Sequence, residues 1–166
     1  MPRLAASVTM MFHEVGLLER FARAAEAGFR GVEIQSPYGE TQEDIAERLR
    51  RHDLSAVLMN IQPGVAAIPG REAEFPLGAL AGARLRMEGF LAETVKANID
   101  IIGHFQVGGV PGRHEPDETQ EVNYTYLFDL IDGLGYGGWV GCEYRPRAGT
   151  IEGLGWGRPY GIRGGR

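Results

Sequence analysis

A single cysteine, Cys142, stands in the whole chain, so no internal disulfide can form and a reducing cytoplasm is the expected setting. No stretch approaches the roughly 18 consecutive apolar residues that a membrane span takes. The amino terminus lacks the charged head, apolar core and small-residue cleavage site of an export signal. Positive charge is also short. Lys and Arg number 17 against 22 Asp and Glu, for a net charge of -5, which argues against nucleic acid as the partner because phosphate binding takes clustered basic residues. A small anionic substrate would therefore need a local cation or a metal. Nucleotide signatures are missing too: GGVPGRHE lacks the GxxxxGK[ST] spacing, and GFRGVE is not a GxGxxG turn. No Ser-His-Asp or CxxC arrangement has usable context, and low-complexity tracts are absent.

What the chain does contain is an ordinary globular mixture, 43% hydrophobic and 23% charged over 166 residues, enough for one core. One domain is expected over 1–158, with a weakly ordered connection at about 63–87 and a flexible Gly/Arg-rich tail over 159–166. Leu4 to Val8 suits a buried first strand. A helical pattern follows, carrying Leu18, Phe21, Ala22 and Ala25 on one face, and Gly28 stops it. Gly31 to Ile34 is a second strand. Thr41 with Asp44 reads as the N-cap of a helix that turns Ile45 and Leu49 inward. Ser55 to Ile61 is a third strand, an unbroken apolar run. The pattern then fades until Leu91, Val95 and Ile99 recur at helical spacing.

The best-defined strand, loop, helix and strand run from Ile99 to Arg147. An apolar run from Ile99 ends at His104, Phe105 and Gln106. After a Gly/Pro-rich turn, Leu127, Leu130, Ile131 and Leu134 fall at i, i+3, i+4 and i+7, closed by Gly135. Trp139 to Cys142 is the last strand, ending at Glu143. Strands alternating with helices predict an α/β fold with parallel strands and outer helices. Five such strands fit here, whereas a full (β/α)₈ barrel takes about 250 residues.

In parallel sheets the chemistry collects at the carboxyl ends of the strands. Gln106 and Glu143 sit at two of them. A carboxylate ending an apolar strand is costly unless used, which favours a role for Glu143 over a salt bridge to Arg145 or Arg147. Gln106 is as readily structural as functional. Arg113 would grip a substrate carboxylate or be a solvated loop arginine. His104 is a core imidazole or a site residue with equal weight. Glu33 ends the second strand and is read first as structural. His13, Glu14, His114 and Glu115 read as loop residues, Trp139 and Trp156 as packing, and Cys142 as a small core residue rather than a nucleophile.

Several segments, GHFQV with VPGRHEP, NYTYLF, GYGGWVGCEYRPR, EGLGW, PGREAEF and the opening AASVTMMFHEVGLLERFARAAEAGFRGVEIQSPY, resemble the hydroxypyruvate isomerase family of TIM-barrel sugar isomerases and epimerases. The resemblance is weakest between Pro76 and Met87 and implies that the central part of the barrel is missing. Its implied strand order is 3-2-1-8-7, with two exposed edges that invite a homo-oligomer. The implied activity is that of an intramolecular oxidoreductase of the aldose–ketose type, interconverting hydroxypyruvate and tartronate semialdehyde in glyoxylate metabolism. Glu143 would be a proton-transfer carboxylate and metal ligand, Gln106 a second ligand, Arg113 and His104 substrate contacts, and the metal Mg or Mn. The family's other glutamate, in an EPIN-like segment, and its aspartate, in an FD-type segment, have no counterpart here. Alternatives are isomerisation or epimerisation of another small ketose or sugar acid, or a shortened relative without turnover.

Overall fold

The computed structural model describes residues 1–35, 37, 39–59 and 91–164. Met1–Asn60 with Gly103–Arg166 form one compact unit and Ile61–Ile102 a second. The connection expected at about 63–87 lies outside the described residues. In chain order the elements are β1 Arg3–Ser7, α1 Leu17–Glu26, β2 Gly31–Ile34, α2 Gln42–Arg51, β3 Ser55–Met59, α3 Leu91–Asn98, β4 Phe105–Val107, α4 Tyr124–Gly133, β5 Trp139–Cys142 and the short α5 Thr150–Gly153, which runs on as a 3₁₀ stretch, Leu154–Tyr160. In the second unit the described residues are α3 and a 3₁₀ turn, Ile99–Ile101.

The five strands form one parallel sheet in the order β3-β2-β1-β5-β4. This is the expected 3-2-1-8-7 arrangement of an incomplete TIM-type barrel, and among the described residues β3 and β4 do not pair to close it. Register sorts the side chains by face, because paired residues in neighbouring strands point the same way. Ala6 pairs with Val32 and with Cys142, so one face carries Leu4, Ala6, Val8, Val32, Ile34, Val140 and Cys142, all buried. The opposite face carries Ala5, Ser7, Gly31, Glu33, Gly141 and Gln106.

Local signals in the sequence account for most boundaries. Thr41 Oγ1 accepts the Asp44 backbone N–H at 3.1 Å and donates to Asp44 Oδ2 at 2.7 Å, the cap that starts α2. Ile45 is the buried residue of that helix. At the end of α1, Gly28 holds φ +98°, and a β-carbon there would also come 2.8 Å from the carbonyl oxygen of Gly161. That contact marks a departure from expectation. Within the described part of the tail, up to Gly164, the Arg163 N–H donates to the Ala27 carbonyl at 2.6 Å, and Ile162 is buried. Three apolar or backbone contacts are enough to dock a segment whose composition alone suggests disorder.

Two further expectations are corrected. The strand leading to Gln106 does not begin at Ile99, which opens a 3₁₀ turn, and Ile101 is 81% exposed. Pairing is confined to Phe105–Val107 because the partner strand β5 is itself four residues long. In α4 the buried residues are Phe128 and Ile131, while Leu134 is exposed. The helix is turned so that Phe128 meets Tyr160 edge-on at 4.9 Å and Trp156 at 6.2 Å, an aromatic cluster contributed by the 3₁₀ stretch. Trp156 is thus packing, as read. The third strand is present as β3, Ser55–Met59; Ser55, Ala56 and Met59 are exposed, since it is the terminal strand of the sheet and among the described residues pairs with β2 alone.

Candidate functional site

The register brings the candidate residues to one face. Gln106 on β4 lies beside Gly141 on β5, and Glu143 follows two residues later with the same orientation. On the other side of Gly141, β1 contributes Ala5 and then Ser7, and Ser7 pairs with Glu33 of β2. Glu33, Ser7 and Glu143 therefore end three adjacent strands, β2, β1 and β5, at neighbouring levels. His104 precedes Gln106 by two residues and so lies farther from the carboxyl ends.

Glu33 is the best-anchored of these groups. Its side chain is wholly buried, with Oε1 lying 2.5 Å from His104 Nε2 and Oε2 accepting from Gln106 Nε2 at 3.1 Å. Room for it comes from Gly141, where a β-carbon would overlap Oε1 and Cδ of Glu33. The neighbouring Cys142 thiol is fully buried, and burial with the Glu33 carboxylate pushes its pKa well up. An inert thiol agrees with its reading as a core residue. Ser7 is also wholly buried, and among the described residues its Oγ has no hydrogen-bond partner.

Glu143 is partly exposed and pairs with Arg113 at 3.3 Å, not with Arg145 or Arg147. The loop explains the difference. The Arg113 N–H donates to the Gly109 carbonyl at 2.6 Å and its own carbonyl accepts from the Arg145 N–H at 2.9 Å. Arg113 is thereby fixed against the end of β5 with φ 54°, a left-handed conformation that costs a non-glycine residue about 1 kcal/mol. Such an outlier held by its surroundings is a mark of functional loops. Arg147 is engaged elsewhere: its Nε donates to Glu115 Oε2 at 2.8 Å, and it also pairs with Asp117 and donates to Thr119 Oγ1 at 2.9 Å. Glu115 is thus more than a loop residue, since it is buried and also accepts the Arg147 backbone N–H at 3.0 Å.

The remaining candidates have structural partners. His114 Nδ1 lies 2.9 Å from the Arg145 carbonyl, and His13 Nε2 lies 2.7 Å from the Thr9 carbonyl. Glu14 accepts the Thr150 N–H at 2.5 Å. Partial burial pushes its carboxyl up, but the Thr150 hydrogen bonds outweigh that and leave its pKa below the ordinary value.

The arrangement is an acid beside a cation, with a buried acid one pleat away bracing an amide and an imidazole. The signal that sequence reading underweighted is Glu33. A carboxylate inside the short run GVEI, with Gly141 in the strand two removed, is visible in the sequence, but nothing local to the run sets it apart from a structural acid. As for a metal, the described residues hold no group of three or more His, Cys, Asp or Glu able to take one, and both Gln106 and Glu143 already have protein partners. They do not make a ready centre. Hollows of about 370 and 140 Å³ lie along α1 and in the VPGRHEP loop, and neither is lined by Glu143 or Gln106. No described helix is long and apolar enough to cross a membrane.

No family model matches the chain. It is similar to a 2-oxo-tetronate isomerase of Cupriavidus necator, 33% identical over 258 residues, covering 96% of this chain and 99% of that protein. It is similar also to the hydroxypyruvate isomerase of Escherichia coli, 29% identical over 258 residues, covering 96% of this chain and all of that protein. These spans exceed the 166 residues present, so positions internal to the relatives have no counterpart here. Among solved structures it is similar to one described as an AP endonuclease, family 2, from Brucella melitensis, with a TM-score of 0.83 and 31% identity over 96% of this chain and 99% of that one.

Proposed function

Because the chain belongs to the family of 2-oxo-tetronate and hydroxypyruvate isomerases, we propose that it interconverts hydroxypyruvate and tartronate semialdehyde. The observation that carries this reading is the pairing of Glu143 with Arg113 at 3.3 Å at the carboxyl end of β5. A carboxylate able to move protons and a guanidinium able to hold a substrate carboxylate bidentately stand side by side.

The reaction removes one proton from the hydroxymethyl carbon of hydroxypyruvate to give an enediolate. A proton then returns to the neighbouring carbon, while the hydroxyl proton passes from one oxygen to the other, leaving an aldehyde and a secondary alcohol. In this reading Arg113 turns from Glu143 to the substrate carboxylate. That exchange frees Glu143 to take the carbon-bound proton, and His104 and Gln106 contact the substrate from β4. A divalent Mg or Mn, if bound, would act as a Lewis acid on the developing oxyanion. With oxygens from Gln106 and Glu143 alone, it would be weakly held and mostly hydrated.

The buried lone Cys142 favours a reducing, cytoplasmic setting. The terminal strands β3 and β4 favour self-association through their edges. Two other readings have their own support. The name of the Cupriavidus necator relative favours a four-carbon keto acid as substrate. The protein partners already held by Gln106 and Glu143 favour a relative without turnover.

Purified protein supplied with Mn or Mg is expected to convert hydroxypyruvate, and Glu143→Gln to abolish conversion while the variant stays folded by circular dichroism. A faster rate on 2-oxo-tetronate would move the substrate assignment. No turnover on either acid with any divalent ion would overturn the enzyme reading.

A further inference from the structure

We propose that Glu33 is the positioning residue of this site, fixing which atom of Gln106 faces the substrate and which nitrogen of His104 carries its proton. A buried carboxylate is expensive unless it is well paired, and an apolar residue of the same size would pack a core more cheaply. Here it is retained, fully buried, at a point where the facing strand has given up a side chain altogether: any β-carbon at Gly141 would overlap its carboxyl group. Both of its oxygens are turned to β4, one to His104 and one to Gln106.

The chemistry of the acceptor decides the orientation. An ionised carboxylate only accepts, so the amide group facing it must be the NH₂. Gln106 therefore gives its Nε2 to Glu33 and is left with Oε1 as the amide atom not turned to that acid. By the same rule His104 presents a protonated Nε2 to Glu33 and leaves Nδ1 for other contacts. Without Glu33, neither the amide nor the ring has anything in this cluster to choose one orientation over its reverse. The catalytic part of this inference rests on the isomerase reading; the orientational part does not.

Two measurements on the full-length protein test it. Nitrogen and proton NMR of the unaltered chain is expected to show a slowly exchanging His104 Nε2–H and a Gln106 side-chain amide displaced from the free-glutamine position, the latter assigned by its loss in Gln106→Ala. In Glu33→Gln, which keeps the volume, one of the two contacts becomes donor against donor, and both signatures are expected to move. On the keto acid, that variant is expected to lose about 10- to 100-fold in kcat, as for other supporting partners of site ligands, with KM changed less than threefold. A freely exchanging His104 ring in the unaltered chain would overturn the proposal without any variant. So would a folded Glu33→Gln whose two signatures are unchanged, or one that changes KM alone. Should the unaltered chain turn over neither keto acid, the functional reading falls, and the NMR comparison by itself decides the role of Glu33.

Discussion

Replacing Gly141 by Ala adds one methyl group and is expected to be among the most damaging single changes in the molecule. The new β-carbon would occupy the position of Oε1 and Cδ of Glu33, and neither neighbour has slack: Glu33 and Gly141 are both buried, each in a paired strand. Overpacking of this kind costs about 1–3 kcal/mol. If the carboxylate swings away instead, the bonds from His104 and Gln106 go with it, and hydrogen bonds to charged groups are worth about 1.5–3 kcal/mol each. The overlap is too deep to be absorbed in place, so the second route sets the loss, about 3–6 kcal/mol for the two bonds together. A domain holds about 5–15 kcal/mol in total, so the urea midpoint should fall by at least about a fifth. The assay is urea unfolding by far-ultraviolet circular dichroism, with Gly137→Ala as control, since a β-carbon there meets nothing within 4 Å. A double-mutant cycle isolates the cause. In a Glu33→Ala background the same Gly141→Ala change should cost less than about 1 kcal/mol. A penalty that survives unchanged in that background, or a single variant within about 1 kcal/mol of the unaltered protein, would refute the reasoning.

Arg113→Gly removes both the guanidinium and the backbone strain of φ 54°. It is expected to leave stability unchanged or higher by up to about 1 kcal/mol, yet to raise KM for the keto acid about 10- to 100-fold through loss of a charged hydrogen bond; an unchanged KM in steady-state assays would remove Arg113 from the site. Ser7→Ala deletes a buried hydroxyl that has no partner among the described residues and is expected to stabilise by about 1 kcal/mol in the same urea assay. A loss of stability would mean that the hydroxyl is bonded in solution. Acid sensitivity follows from two carboxylates held below their ordinary values. Partial burial of Asp117 pushes up, but its bonds to Thr119 and the charge of Arg147 outweigh that, and Glu14 is held down in the same way by Thr150. A depressed folded-state pKa contributes stability that is present above the unfolded value and lost as pH falls through the folded one. Unfolding midpoints should therefore drop below about pH 4, and the drop should be shallower in Glu14→Gln and Asp117→Asn.

Much of this fold is legible because its signals are local. The Thr41 cap, the glycines after α1 and α4, and the alternation of strand and helix lie within a few residues of what they determine. What is not legible depends on partners distant in the chain. Nothing in the run from Ile99 says that it pairs only from Phe105, because the limit is the length of β5. The burial of Phe128 rather than Leu134 depends on Trp156 and Tyr160, and the docking of Ile162 depends on the close approach of Gly28. Glu143 and Gln106 were visible as polar residues ending apolar strands. Their partners were not: Arg113 reaches Glu143 only through a loop clamped by Gly109 and Arg145.

The same contrast explains why Glu33 stays buried in a sheet that does not close among its described residues. At the terminal strand β3, side chains have a neighbouring strand on one side only, and Met59 is about half exposed. Glu33 stands one strand in, flanked by β1 and β3, with its carboxyl leaning across β1 into the gap at Gly141. There, His104, just before β4, meets one oxygen and Gln106 of β4 the other. Three central strands and one edge strand thus suffice to desolvate it. The strands missing relative to a full barrel would lie between β3 and β4 in the order, so the gap adjoins this cluster only through β4 and is two strands away from β1. The loss of central positions therefore removes candidate ligands without uncovering this acid. If shortening had instead undone the barrel interior, Glu33 would be solvated, and a carboxylate in water has no reason to be short of room at Gly141.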